Sequence, residues 1–348
     1  MKNSAVKTTN LIILLVFVVI SLCVLAAAPT LAKTTELRVA TYVPPVVHLA
    51  KAIDWWAAEL QKRTNGALKV TVFHAQTLGK VRDSLDMLES GTADVVMFPA
   101  PAFPGRFPVS ELVADTPLLR GNIRLANEVM DQLLMDGLLK EFNQYKVICW
   151  FNIDTMMLFT TKKVTTLEEL KGLKIRARGR ASTEMVERLG ASPVALEVGE
   201  LYTSLERGIV DGVTTCITAF SMMKLFEVCK YLVDEPLYGG LVPVLMSKRS
   251  WNKLPSDIQL IIEQVNKELA YTFFNFIWEE MKNGYEIASQ GGREITKLSP
   301  KEQERWQKTI RPVTDAALAR INEKGLPGEK IMAKSRDVLD FWKLSGLR

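Results

Sequence analysis

Histidine is nearly absent from this chain of 348 residues, which holds only His48 and His74. The scarcity removes most nucleophile–base chemistry, because an activated serine or cysteine normally leans on an imidazole, and neither GxSxG nor HExxH occurs. Both histidines read as buried or cleft-edge groups. Cysteine is sparse too: four residues without CxxC spacing argue against a disulfide scaffold, and without a histidine–cysteine cluster no zinc site is expected. No glycine-rich loop follows a strand to cradle a phosphate, and there is no internal repeat or low-complexity segment. Charge is nearly balanced at +5, too little for the dense basic stripe that nucleic acid demands. No catalytic residue, metal, cofactor or nucleic-acid partner is therefore expected. Scattered acids such as Glu168-Glu169 and Glu279-Glu280 sit in amphipathic stretches and read as solvated faces.

The first 32 residues do not look like part of a fold. Lys2 and Lys7 precede the apolar run Leu11 to Ala28, and Thr30-Leu31-Ala32 then offers small residues where a signal peptidase inspects them. A cleaved secretory signal is the first reading. The run also approaches the length of a spanning helix, so an uncleaved anchor stays open. The bulky Leu22 before Cys23 disfavours a lipoprotein signal. Removal of residues 1–32 takes two of the 44 basic residues and none of the 39 acids, leaving a net +3. Cys149, Cys216 and Cys229 remain, and one disulfide plus one free thiol is open for an exported chain. The remaining length, with a 48% apolar composition overall, buries a large core without staples and fits two α/β lobes rather than one.

Strand-like and helix-like segments alternate from Leu37 onward. Leu37 to Tyr42 reads as a strand, and Leu49, Ala52, Ile53, Trp56, Ala57 and Leu60 then recur at helical spacing. Leu68 to Phe73 is a second strand, Val81, Leu85 and Leu88 mark a helix ending at Gly91, and Ala93 to Phe98 is an apolar third strand. This β-α-β-α-β series predicts a parallel sheet covered by helices. Further strands are expected at 146–151, 158–161, 173–177, 193–196 and 210–215. Two α/β lobes in sequence imply a ligand cleft between them, at the carboxyl ends of strands. From Pro255 to Gly291 a helical period runs for well over twenty residues, which predicts one helix lying across both lobes; two shorter helices with an unmarked break are the alternative.

One short stretch carries most of the chemical information. Along Leu173 to Arg178, alternation sends Leu173, Ile175 and Ala177 to one face and Lys174, Arg176 and Arg178 to the other. Taken alone, this reads first as a basic solvated edge and second as a cleft-facing grip, in which a planar guanidinium holds a carboxylate through two parallel hydrogen bonds.

The surrounding residues resemble a family. Thr64-Asn65-Gly66, Leu78-Gly79 and Glu89 to Asp94 in the first half, then Leu170 to Arg176, Leu189 to Pro193, Glu200-Leu201-Tyr202, Val210-Asp211-Gly212 and Phe226 to Tyr231, match in order and spacing the solute-binding proteins of tripartite ATP-independent periplasmic (TRAP) transporters, of the DctP type. The resemblance implies a periplasmic-binding-protein-like two-lobed fold with crossing strands and a spanning helix. It divides the chain into lobe I, residues 33–155 with a returning segment at about 242–280, and lobe II, residues 156–241 with C-terminal helices at about 281–348 packing on it. It also implies a non-enzymatic periplasmic receptor that closes on a small organic acid and delivers it to the small and large subunits of a membrane permease; an exported enzyme on the same two-lobed scaffold, or a solute receptor feeding a sensor, is the alternative.

By position, Arg176 is the family's carboxylate-binding arginine. Two departures stand beside it: Thr215 where many members have asparagine, and Met156 where some sugar-acid binders carry a second arginine. A hydroxyl keeps one hydrogen bond, whereas methionine removes a cation and adds soft apolar surface. A smaller or more apolar acid is therefore expected. Tyr42, Phe98 and Trp150, near strand ends, are candidates to complete the pocket, while Arg178 and Arg180 are expected to face solvent or pair with acids.

Overall fold

The structure is a computed structural model that describes residues 34–345; the signal-peptide reading of residues 1–32 falls outside them. Apolar alternation along Thr35–Thr41 (β1) and Leu68–Phe73 (β2), with the wholly apolar Val95–Met97 (β3), buries Leu37, Val39, Leu68, Val70 and Val95 under helix His48–Arg63. These three strands are parallel, joined by helical crossovers as the spacing predicts. The sheet as a whole is mixed, however. Its order is β2-β1-β3-β10-β4, and Leu241–Ser247 (β10) inserts antiparallel between β3 and Tyr145–Asn152 (β4).

A second sheet has the order β11-β9-β5-β8-β6-β7. It comprises Met156–Thr160 (β5), Lys174–Arg176 (β6), Ser192–Val194 (β7), Gly212–Cys216 (β8), Tyr231–Tyr238 (β9) and Glu294–Thr296 (β11). Here β6, β7 and β8 run parallel, while β5 lies antiparallel to β8 and β9. The architecture is therefore two α/β lobes, with the backbone crossing between sheets where β4 leads into β5 and where β9 leads into β10. Gly121 lies against both crossings. Its φ is +68°, and an added Cβ would come within 2.6 Å of the Tyr238 carbonyl oxygen and 2.9 Å of the Thr155 Cα, so only glycine fits without backbone movement.

The long helix is a single element of 33 residues, Ser256–Ala288. Ile258, Ile262, Val265, Leu269, Phe273 and Ile277 form its buried stripe in the first lobe, with Phe273 stacked on Phe151 at 4.4 Å and Trp56 Nε1 donating to Asn266 Oδ1 at 2.8 Å. Each such large apolar side chain contributes about 1.5–3 kcal/mol by burial. Its last turns reach the second lobe, where Gly284 lies so close to Ile217 that an added Cβ would meet the carbonyl oxygen at 2.8 Å.

The C-terminal helices correct one expectation. Pro300–Ile310 does pack on the second sheet, with Trp306 fully buried there, but the two helices after it return to the first lobe. Ala317 and Ile321 of helix Pro312–Glu323, with Ile331, Met332 and Val338 of helix Gly328–Leu344, join the cluster around Val129 and Leu133. Their apolar stripes complement helices Pro108–Ala114 and Ile123–Met135, and Arg320 pairs with Glu111 at 2.7 Å. Cys149, Cys216 and Cys229 are all free and buried. Among the described residues, no helix is long and apolar enough to cross a membrane.

Candidate functional site

Both sheets aim the carboxyl ends of their parallel strands at one cavity of about 1030 Å³. From the first lobe, Tyr42 follows β1 and the segment Pro99–Phe103 follows β3; from the second, Arg176 ends β6, while Thr214 and Thr215 lie at the end of β8 beside Met156 at the start of β5. The positions follow from local sequence. Asp211 accepts from the Lys174 backbone N–H at 2.9 Å and from Lys162 Nζ at 3.2 Å, which ties the turn before β8 to β6. Gly212 is obligatory there because an added Cβ would lie 2.6 Å from the Phe159 carbonyl oxygen. That close approach sets β8 against β5 and brings Thr215 to the cavity.

Arg176 is 5% exposed, with Nε donating to the Leu196 carbonyl at 3.2 Å. Its Nη2 is buried without a hydrogen-bond partner among the described residues, and no carboxylate there forms an ion pair with it. Burial pushes the guanidinium pKa below its ordinary value, and the positive charge of Arg178 adds to the effect against the opposing influence of Tyr238 and Glu197. A buried donor left in this condition costs about 1–3 kcal/mol, so the protein holds a charged fork at some expense to its own stability. Thr214 Oγ1 steadies the neighbouring backbone by donating to the Arg176 carbonyl at 3.2 Å, and lies 3.0 Å from the Tyr238 hydroxyl.

Of the six residues expected at the site, Arg176, Thr215, Met156 and Tyr42 line the cavity together. Phe98 and Trp150 do not, and that expectation is corrected. Phe98 packs edge-on against Phe103 at 4.8 Å, while Trp150 meets Phe142 and donates from Nε1 to Asp131 Oδ1 at 2.9 Å, so both rings are core. Arg178 is corrected in the other direction: it is half-buried, lines the cavity and forms no ion pair among the described residues, whereas Arg180 is solvent-exposed as expected, though it too borders the cavity. Glu280 is not a solvated acid either. It lines the cavity and binds His48 Nδ1 at 2.6 Å and Lys51 Nζ at 3.1 Å; burial pushes its carboxyl up, but these partners outweigh burial and hold it low.

Sequence reasoning missed Thr214, Tyr238 and Asp115. The Asp115 carboxyl is buried at the cavity wall, and burial, with Glu111 adding, pushes it well above the usual range despite Arg178. Burial also raises the Cys216 thiol, with Asp154 adding, so the sulfur at the cavity edge stays protonated and weakly nucleophilic. The arrangement is suited to gripping an anion between two surfaces.

Two lobes, a cleft at converging strand ends and a buried unpaired guanidinium define the class: an α/β solute receptor. The chain belongs to the DctP family, described as bacterial extracellular solute-binding protein family 7, whose profile matches residues 39–320. It is a TRAP-type solute-binding protein. It is 31% identical over 214 residues to an uncharacterized Haemophilus influenzae protein, covering 60% of this chain and 65% of that one, just under two thirds. Among solved structures, a TRAP periplasmic solute-binding protein from Desulfovibrio salexigens with bound orotic acid is 26% identical at a TM-score of 0.77, over 87% of this chain and 99% of that one. A TRAP solute-binding protein from Rhodoferax ferrireducens in complex with copurified benzoate superposes at a TM-score of 0.79 with 21% identity, over 90% and 100% of the two chains.

Proposed function

We propose that this protein is a periplasmic receptor that captures a small organic acid between its lobes by hinge closure and hands it, unchanged, to the small and large membrane subunits of a TRAP transporter. One observation carries the reading: Arg176, a buried guanidinium at a strand end in the cleft, whose Nη2 has no hydrogen-bond partner among the described residues. A ligand carboxylate supplies the missing acceptor and the counter-charge at once. Tyr42, Met156 and Thr215 complete the contact surface around it. Bound orotic acid and benzoate in the two solved relatives support a carboxylate as the shared ligand group.

Closure removes the ion pair from water, so binding gains from it only when the carboxylate also satisfies the guanidinium's donors. The test is a thermal-shift screen against an organic-acid library, since a ligand at 100 times its dissociation constant stabilises the fold by about 2.7 kcal/mol. Protection by acids and not by their amides supports the reading; equal protection by both refutes it. Recovery of the bound acid unaltered after long incubation distinguishes a receptor from an enzyme.

A further inference from the structure

One buried acid takes no part in the grip described so far. Asp154 is 0% exposed and lies in the crossing between β4 and β5. It stands behind the cavity wall, which its neighbours Ile153 and Met156 line. Among the described residues no lysine or arginine pairs with it, and its two oxygens turn to a single residue of the second lobe. Oδ1 accepts from the Thr218 hydroxyl at 2.8 Å, and Oδ2 from the Thr218 backbone N–H at 3.1 Å. Burial raises the carboxyl pKa, while the Thr218 backbone bond, His48 and the Thr218 hydroxyl oppose the rise.

The strand register shows what these bonds replace. β5 pairs antiparallel with β8, and the pairing ends with Met156 opposite Cys216. Continued by two residues, the same register sets Asp154 opposite Thr218, where the chain has already left both strands for the crossing and for helix Ile217–Met222. The carboxylate thus carries on a pairing that the backbone has abandoned. Because Thr218 Oγ1 directs its hydrogen to Asp154, the Cys216 thiol at 3.4 Å is left to donate to Thr218. Met156, Thr215 and Cys216, all on the cavity wall, adjoin this junction. A crossing is also where backbone torsions change when lobes move, so an unpinned end would pass that motion on to Thr215.

Resting on the reading of Arg176 and Thr215 as solute contacts, we propose that Asp154 is a positioning residue: it pins the β5–β8 junction to the crossing, so that Thr215 keeps its hydroxyl on the solute as the lobes close. Asp154 itself does not touch the solute.

Titration calorimetry tests it, with whichever acid of the thermal-shift screen, benzoate included, protects best. Asp154→Leu keeps the branched shape and removes both acceptors; it should weaken binding about ten-fold or more, as expected when hydrogen bonds to a charged group are lost. Asp154→Asn, whose amide still accepts from the Thr218 N–H and donates to its hydroxyl, should recover most of that loss. A double-mutant cycle then separates positioning from packing. In a Thr215→Val background, Asp154→Leu should weaken binding by less than about two-fold more, because the contact it positions is gone. A merely structural acid would lower the unliganded melting temperature and leave the two losses additive, which overturns the proposal. Unchanged affinity in Asp154→Leu, no recovery in Asp154→Asn, or Thr215→Val without effect would overturn it as well, and each of these leaves Arg176 standing as the carboxylate grip. Failure of every acid to protect overturns the carboxylate reading itself, and this inference with it. Melting temperatures of the unliganded variants show that each is folded, with Asp154→Ala replacing the leucine variant should that one fail.

Discussion

Replacing Arg176 separates binding from folding with unusual clarity, because the residue acts on the two in opposite directions. In the liganded protein the guanidinium would meet a carboxylate out of water, and truncating one partner of such a pair costs on the order of 2–5 kcal/mol, roughly thirty-fold to a few thousand-fold in dissociation constant. In the unliganded protein the same side chain is a liability, with a charged group 5% exposed and Nη2 unpartnered. Arg176→Met keeps the bulk of the stem and removes an unsatisfied donor worth about 1–3 kcal/mol; against this, the Leu196 carbonyl loses its donor at roughly 1 kcal/mol. The net expectation is an unliganded variant at least as stable as wild type, by up to about 2 kcal/mol, that no longer responds to acids. Differential scanning calorimetry with and without the most protective acid, followed by titration calorimetry, measures both quantities. Wild-type affinity in the variant would refute the assignment. A loss of several kcal/mol in the unliganded state would show that Arg176 holds the fold together.

Other predictions test the surroundings. Glu141 accepts from the Val109 and Ser110 backbone N–H groups at 2.8 and 2.9 Å, yet burial pushes its carboxyl up from 4.5 to about 7. The folded state thus binds this proton more tightly than the unfolded chain, so its stabilising contribution is complete below about pH 4.5 and lost as pH rises through about 7. Glu141→Gln should remove up to about 3 kcal/mol of that slope in urea unfolding between pH 5 and 8; an unaltered slope contradicts the cause given. Trp150→Phe should cost about 1–3 kcal/mol through the lost bond to Asp131 while leaving acid affinity within about two-fold, and a ten-fold weakening would return Trp150 to the cleft. Gly121→Ala should destabilise by more than about 1 kcal/mol in thermal unfolding, since both the positive φ and the Tyr238 carbonyl oppose a side chain; wild-type stability would show that the crossing is loosely packed.

Much of this was legible in the residues, and the exceptions have identifiable causes. Alternation in β1 and β2, the apolar run of β3 and the crossover spacing between them marked the first three strands, and an uninterrupted apolar period marked the spanning helix. β10 escaped because Pro243 sits in it, and proline normally argues against a central strand. Here Pro243 lies one residue beyond the last pair with β3, where β4 is its sole partner, and a register shift follows between Val244 and Leu245. Arg178 was misjudged because a cleft and an outer surface are equally polar neighbourhoods in one dimension. Phe98 and Tyr42 both end first-lobe strands, but Phe98 turns into a ring cluster with Phe103 and Phe107 that no spacing rule announces. Amphipathic stripes likewise placed helices 312–344 on some core without saying which lobe owned it.

The position of β10 bears on how the chain comes to be folded at all. The first sheet cannot close until Leu241–Ser247 arrives to fill the gap between β3 and β4, and nearly all of the second lobe is synthesised in the interval. Until then β3 and β4 each offer an unpaired ladder edge, and the long-range contacts that would repay their ordering do not exist. An N-terminal fragment ending before residue 241 has no route to a finished sheet. The topology thus acts as a timer: the strand that closes the first sheet is made only after most of the second lobe, and the helices Ser256–Ala288, Pro312–Glu323 and Gly328–Leu344 that cover the first lobe follow later still.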